Sequence, residues 1–305
     1  MLLPLFIGGC AINKDFFLHE KDEFAQIDTA DICHAVYFLG NSDKVKLGRS
    51  PTGHLLSRQM EQSGKESTLI LLGNNSLRNT SIKLDSSRRG LAKLTLLKYR
   101  YDFFNSLKGP YFAVLGPHEW ANGSRYGMNN ARILEEILDD ELQAGDIIRP
   151  SGGCPGPDEV KIGSDIVLLL IDTQWLFHSW DKPKEEDGCD AAGKMDFYVN
   201  LQDAIKRNYN KKIIVAGYHS LAGNGRHGGY FPAKSHFIPL PVLGSLDIGL
   251  RSWLGNPYDM ANPNYQVFIK TMKDIFREHK DIIYLSAHEK TLEHHKTDHM
   301  HFLNS

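Results

Sequence analysis

Six short apolar runs punctuate the chain, and each closes on turn-forming residues. They are AVYFLG (35–40), LILLG (69–73), YFAVLG (111–116), IVLLLIDTQW (166–175), KIIVAG (212–217) and DIIYLSAH (281–288). Runs this continuous predict strands buried on both faces. Between several of them apolar residues recur at helical spacing. Leu91, Leu94, Leu97 and Tyr101 share one face, as do Tyr265, Phe268, Met272, Ile275 and Phe276. Asn262 is placed to cap the second helix, and Pro263 suits its first turn. Strands alternating with helices predict an α/β layered fold. Two connections, 179–196 and 218–262, exceed simple loops and are expected to be functional or disordered. The second is too aromatic for disorder.

Composition narrows the function classes. Of 305 residues, 41% are hydrophobic and 24% charged, enough for one large domain or two small ones. A net charge of −2 without a basic run removes nucleic acid from the expected partners. No apolar stretch reaches bilayer length. The first ten residues, MLLPLFIGGC, look like the end of a secretory signal with a lipobox before Cys10. They read equally as a short apolar segment of the fold. Export to the cell envelope, with a lipid anchor at Cys10, is the corresponding expectation. Cys154 and Cys189 both lie in Gly-rich loops, SGGCPGP and EDGCDAAG. They are either a disulfide in an exported protein or two unrelated thiols, since pairing depends on Cα separation.

Polar residues stand at the carboxyl ends of the apolar runs: Asn41, Asn74, His118, His219 and His288. Beyond those ends lies the usual ligand crevice of an open α/β sheet. Taken singly, Asn41 and Asn74 are ordinary turn formers; five strand ends together are the stronger signal.

The ordered motifs LGNS (39–42), LGNN (72–75), LGPHEW (115–120), GYHSL (217–221) and AHEK (287–290) carry a resemblance, together with GGCPGP, LLLIDTQWLFHSWDKP, GNGRHGG (223–229) and FIPLPVLG. The chain resembles the calcineurin-like metallophosphoesterase superfamily, closest to bacterial envelope enzymes related to purple acid phosphatases. The resemblance runs from about residue 34 to residue 292. It implies a layered α/β/β/α sandwich of mixed sheets flanked by helices, in three parts. Residues 1–33 are a signal remnant and lead-in, 34–292 the domain, and 293–305 a C-terminal tail whose four histidines read either as an adventitious metal binder or, better, as a frayed end with an incomplete strand.

That family holds two metal ions (iron, manganese or zinc). The resemblance places the ligands at Asn41, Asn74, Pro117, Tyr218, His288 and Lys290, where the family has Asp, Asp, Asn, His, His and His. Only His288 is unchanged. A tyrosine that some relatives add falls on Leu77. Asn74 offers one oxygen where a bridging carboxylate offers two, and its NH₂ is a donor. Pro117 has no ligating atom, and Lys290 carries a charge that repels a metal. Two dications about 3.5 Å apart repel by roughly 20 kcal/mol at an effective dielectric near 20, and this ligand set brings no formal negative charge against that. No bound cofactor is therefore expected. The Lys290 ammonium is expected beside Asn41 and Asn74, donating to both as an internal cation.

By the same resemblance His118 is the leaving-group histidine and Glu119 the neighbouring acid. Asn224, His227, Gly228 and Gly229 form the loop over the substrate, and Asp172 and Trp175 are structural supports. The expected function is that of an inactive phosphoesterase relative acting as a binding or envelope protein, with a phosphorylated small molecule or an envelope protein as partner. The alternative is an active metal-dependent phosphoric-ester hydrolase with an unusual ligand set.

Overall fold

The apolar runs become the strands of two sheets. The computed structural model describes residues 32–64, 66–75, 88–141, 146–225, 227–228, 258–297 and 299–305, with the backbone alone at 88–93 and 141. Cys10, Leu77, Gly229 and the segment FIPLPVLG lie outside the described residues. In chain order the elements are β1 (Ala35–Leu39), α1 (Pro51–Ser63), β2 (Ser67–Leu72), α2 (Arg88–Asn105), β3 (Tyr111–Val114), α3 (Gly127–Glu136), β4 (Asp158–Ile162), β5 (Ile166–Leu170), α4 (Thr173–Phe177), α5 (Lys194–Arg207), β6 (Lys212–Ala216), α6 (Pro263–Phe276), β7 (Ile282–Ser286), β8 (Glu293–Thr297) and β9 (Met300–Asn304).

One sheet has three parallel strands in the order β1-β2-β3. The other has six, ordered β4-β5-β6-β7-β9-β8. Within it β5, β6, β7 and β9 run parallel, and antiparallel β4 and β8 close the two edges. Alternate residues of each strand enter different cores. Ile70, Leu72 and Val114 of the small sheet pack with Leu168, Leu170, Ile214, Ala216 and Leu285 of the large one. Their neighbours Leu69, Leu71, Val167, Leu169 and Val215 pack with Met60, Leu97, Phe197, Leu201, Met272 and Phe276 of the helices. The strands are therefore apolar throughout because both faces are covered, one by the opposite sheet and one by helices. Each such buried aliphatic side chain stabilises the fold by about 1.5–3 kcal/mol.

The helix signals behave as expected. Asn262 accepts from the Asn264 N–H at 3.0 Å, and Pro263 starts α6. In α2, Leu97 and Tyr101 are buried. Ser50 caps α1 through the Gly53 N–H at 3.0 Å.

Two expectations about connections change. The tail 293–305 does not fray. It folds as the β8–β9 hairpin, with β9 inserted beside β7 and Met300, Phe302 and Asn304 buried. The 179–196 connection, expected to be functional or disordered, is an ordered strap. Cys189 in it is disulfide-bonded to Cys154. The Trp175 indole donates to the Pro183 carbonyl at 2.8 Å, and Lys182 donates to the Trp175 carbonyl at 2.9 Å. Asp172 caps α4 by accepting from Gln174 N and Trp175 N, and takes the Trp120 indole N–H at 2.7 Å. Burial outweighs these three donors and pushes its carboxyl up to about 7.

Candidate functional site

The carboxyl ends of the parallel strands of both sheets meet at one edge. Asn41 follows β1 and Asn74 follows β2, both in the left-handed region at φ 53° and 52°. Asparagine is among the few residues with a side chain that adopt this conformation readily. The two turns are stitched together by Asn41 N donating to Gly73 O and Asp43 N to Asn74 O, each at 3.1 Å. Tyr218 arrives from β6 and lays its ring against Gly73 and Gly116. A Cβ at Gly73 or Gly116 would sit 2.7 or 2.9 Å from Tyr218 Cδ2. Glycine is thus required at both positions for the loops to close on the ring.

Asn41, Asn74 and Tyr218 satisfy one another. Asn74 Nδ2 donates to Asn41 Oδ1 at 2.9 Å and to the Tyr218 hydroxyl at 2.6 Å. The hydroxyl donates in turn toward Asn41 Oδ1 at 3.4 Å. Asn74 Oδ1 accepts from His118 N at 3.0 Å, and Asn41 Nδ2 donates to Ala287 O. Burial pushes the Tyr218 phenol well above its usual range, so it stays protonated. The expected donation from Lys290 to these amides is replaced by Tyr218 and the backbone. Lys290 is exposed and stands at the rim of the pocket described below.

Glu119 also departs from its expected role. Its Oε2 accepts from Gly116 N and Asn74 N, and its Oε1 from Asn75 N, all within 3.0 Å. Buried and committed to three backbone donors, it clamps the ends of β2 and β3 and does not serve as an acid facing a ligand. Arg100 of α2 completes the frame. It is buried and donates to the carbonyls of Ser42, Val45 and Asn75.

Three histidines gather behind this network. The His288 Nε2–H donates to the Tyr258 carbonyl at 2.6 Å. Burial and the neighbouring His227 lower its pKa to about 3, so the ring is neutral. His227 lies 4.3 Å from it, ring centre to ring centre, and its Nδ1 is 2.8 Å from Asp259. His219 is buried 5.1 Å away on the other side. Thr173 Oγ1 accepts from Tyr218 N and His219 N, so its hydrogen goes to His219 Nδ1 and the His219 proton sits on Nε2. Gly228 N donates to Glu289 at 3.1 Å, and burial raises that carboxyl to about 7. Asn224 is held instead to the hairpin, through its N–H to Glu293 at 2.9 Å.

The open part of the edge is a pocket of about 340 Å³. It is lined by Gly40, Asn41, Asp43, Lys44, His118, Lys290 and Ser305. Pro117, half-buried, precedes His118. Sequence reasoning missed Asp43, whose Oδ2 lies 3.5 Å from His118 Nδ1. Its signal was an acid four residues past the end of β1, inside the Ser42–Lys44 turn.

The mapped ligand positions do not fit a metal pair. The two amides and the phenol spend their polar atoms on one another and on the backbone of Ala287 and His118, and the His288 Nε2 proton faces a carbonyl. Among the described residues no group of three or more histidine, cysteine or carboxylate side chains is arranged to hold a metal ion. No helix among them is long and apolar enough to cross a membrane. The chain is thus a mixed α/β protein with a parallel sheet and a mixed sheet flanked by helices, and its polar pocket lies beyond the strand ends. No protein-family model matches it, and no curated protein sequence matches it.

Proposed function

We propose that this chain is a metallophosphoesterase-like sandwich whose dinuclear centre has given way to a neutral amide–phenol network, and that it binds a phosphorylated small molecule rather than hydrolysing it. The Asn41–Asn74–Tyr218 triangle carries the reading. It fills the mapped metal positions with groups that are already hydrogen-bonded to one another. The pocket beside it offers the Lys44 and Lys290 ammonium groups and the His118 ring, with the Asp43 carboxylate and Ser305 also in its lining. Such a balance suits a phosphate dianion, which ammonium groups bind as point charges. The Cys154–Cys189 disulfide supports an exported protein, since disulfides persist in oxidising compartments. Envelope residence belongs to the same proposal.

The test is calorimetric titration with p-nitrophenyl phosphate and with inorganic phosphate, alongside turnover assays with added manganese, zinc and iron. We expect saturable binding of the ester without turnover, weakened about five- to tenfold by Lys44→Ala or Lys290→Ala. That loss is 1–1.4 kcal/mol. Metal-dependent hydrolysis by the native chain, or binding indifferent to both lysines, would overturn the reading.

A further inference from the structure

The C-terminal hairpin carries a pair of histidines that are not among the residues lining the pocket. In the β8–β9 ladder His294 lies opposite Leu303, and Lys296 opposite His301. His294 and His301 are therefore diagonal neighbours on one face of the hairpin. His294 Nε2 and His301 Nδ1 stand 2.9 Å apart. The rings are nearly coplanar, 11° apart, with centroids 5.2 Å apart. Two imidazoles share such a contact only when one presents a proton and the other a lone pair. The second histidine of the segment is not involved, because His295 turns to Glu293 at 2.7 Å.

We propose that His294 and His301 form a surface chelate for a cupric or nickel ion, occupying adjacent corners of a tetragonal coordination sphere that water completes. Metal–imidazole bonds of about 2.0–2.1 Å meeting at a right angle place the two nitrogens about 2.9 Å apart, and a tetrahedral angle requires about 3.3–3.4 Å. The present 2.9 Å separation is that of the hydrogen bond between the rings, and the metal is selected instead by the preference of imidazole ligands, which rises through nickel to a maximum at copper and falls at zinc. The rings now meet head to head and have to swing toward solvent, which the exposure of His294 permits. Whichever ring donates keeps its proton by moving it to its other nitrogen, so each ring presents a lone pair to the metal. The Lys296 ammonium across from His301 opposes the cation and limits affinity.

The site is independent of the phosphoesterase reading. Its test is titration of the full chain with CuCl₂, NiCl₂ and ZnCl₂ at pH 7.5 in a non-coordinating buffer, with electron paramagnetic resonance of the copper form. We expect one site with copper tighter than nickel and nickel tighter than zinc, and coupling of copper to two imidazole nitrogens. His294→Ala and His301→Ala should each weaken copper at least tenfold and remove one nitrogen coupling. His295→Ala should leave binding unchanged, and Lys296→Ala should tighten it a few-fold. Copper binding unaffected in the double variant, a native spectrum lacking two imidazole nitrogens, or zinc bound more tightly than copper would overturn the proposal.

Discussion

Asn74→Asp is the smallest change that tests the neutral network. It replaces an NH₂ with an oxygen and adds a charge at a position 2% exposed. Asn74 Nδ2 now donates to Asn41 Oδ1 at 2.9 Å and to the Tyr218 hydroxyl at 2.6 Å. An oxygen in its place faces the Asn41 oxygen, so one hydrogen bond becomes a repulsive contact worth about 1 kcal/mol or more. Tyr218 can turn its proton to the new oxygen and preserve the other bond. The Glu119 carboxylate, held by the same residue's N–H, adds like-charge repulsion. A buried charge with no cation bonded to it, since the nearby Arg100 is committed to backbone carbonyls, then brings the total to about 3–5 kcal/mol. At about 2–3 °C per kcal/mol for a chain of this size, the melting temperature falls by roughly 6–15 °C. The charge-dependent part, about 2–4 kcal/mol, corresponds to a folded-state pKa raised by about 1.5–3 units from the ordinary 3.9. A raised carboxyl pKa means that the folded state binds more protons than the unfolded one. That part of the penalty is absent below about pH 4, grows as pH rises, and levels off above about pH 5.5–7. Urea unfolding followed by circular dichroism at pH 4.5 and pH 7.5 measures both effects. Equal stability of variant and native protein at pH 7.5, or a gap of the same size at both pH values, would refute the reasoning. Rescue of the single variant by manganese would refute it too, because too few donors remain to hold the ion.

Glu119→Gln is expected to cost about 2–3 kcal/mol, since an NH₂ group must then face at least one backbone N–H that the carboxylate now accepts; chemical denaturation measures it, and a neutral result would mean that the clamp is not structural. Reverting five positions together, Asn41→Asp, Asn74→Asp, Pro117→Asn, Tyr218→His and Lys290→His, is expected to recover binding of two manganese or zinc ions per chain by elemental analysis. The His294→Ala background keeps the hairpin pair out of that count, and failure of a folded variant to take up metal would break the ligand mapping.

The legible parts of this fold were those whose signal is local. Leu69–Leu72 reads as a strand because Leu69 and Leu71 face the helices and Ile70 and Leu72 face the other sheet, leaving no polar position. Asn262-Pro263 reads as a helix start because cap and proline chemistry need no tertiary context. The hairpin was missed because EHHKT and MHFLN are rich in histidine and charge. Yet Met300, Phe302 and Asn304 alternate with more exposed residues, a period of two that marks a strand. β4 was missed for a related reason, since DEVKI is a largely half-exposed edge strand paired only with β5. At the site, convergence of the strand ends was legible from the motifs. The Glu119 clamp and the bond from His288 to the Tyr258 carbonyl were not, because they join residues 44, 45 and 30 positions apart.

On the proposed phosphoesterase reading, the residues at the strand ends make sense as a set rather than as separate losses. The left-handed turns at 41 and 74 accept asparagine as readily as aspartate, so the backbone there is compatible with either residue. Once both are amides, one can donate to the other, which two carboxylates cannot do without a cation between them. Tyr218 then supplies what remains missing, a neutral hydroxyl that accepts from Asn74 and donates toward Asn41. A protonated imidazole there would bring a charge into a buried site, and a neutral one would lack the reach of the phenol. Each member is stable only beside the other two, so energies of single reversions should not add. Residues in one hydrogen-bond network couple in this way, whereas unrelated surface changes do not. That coupling separates a rebuilt pocket from one that has merely decayed.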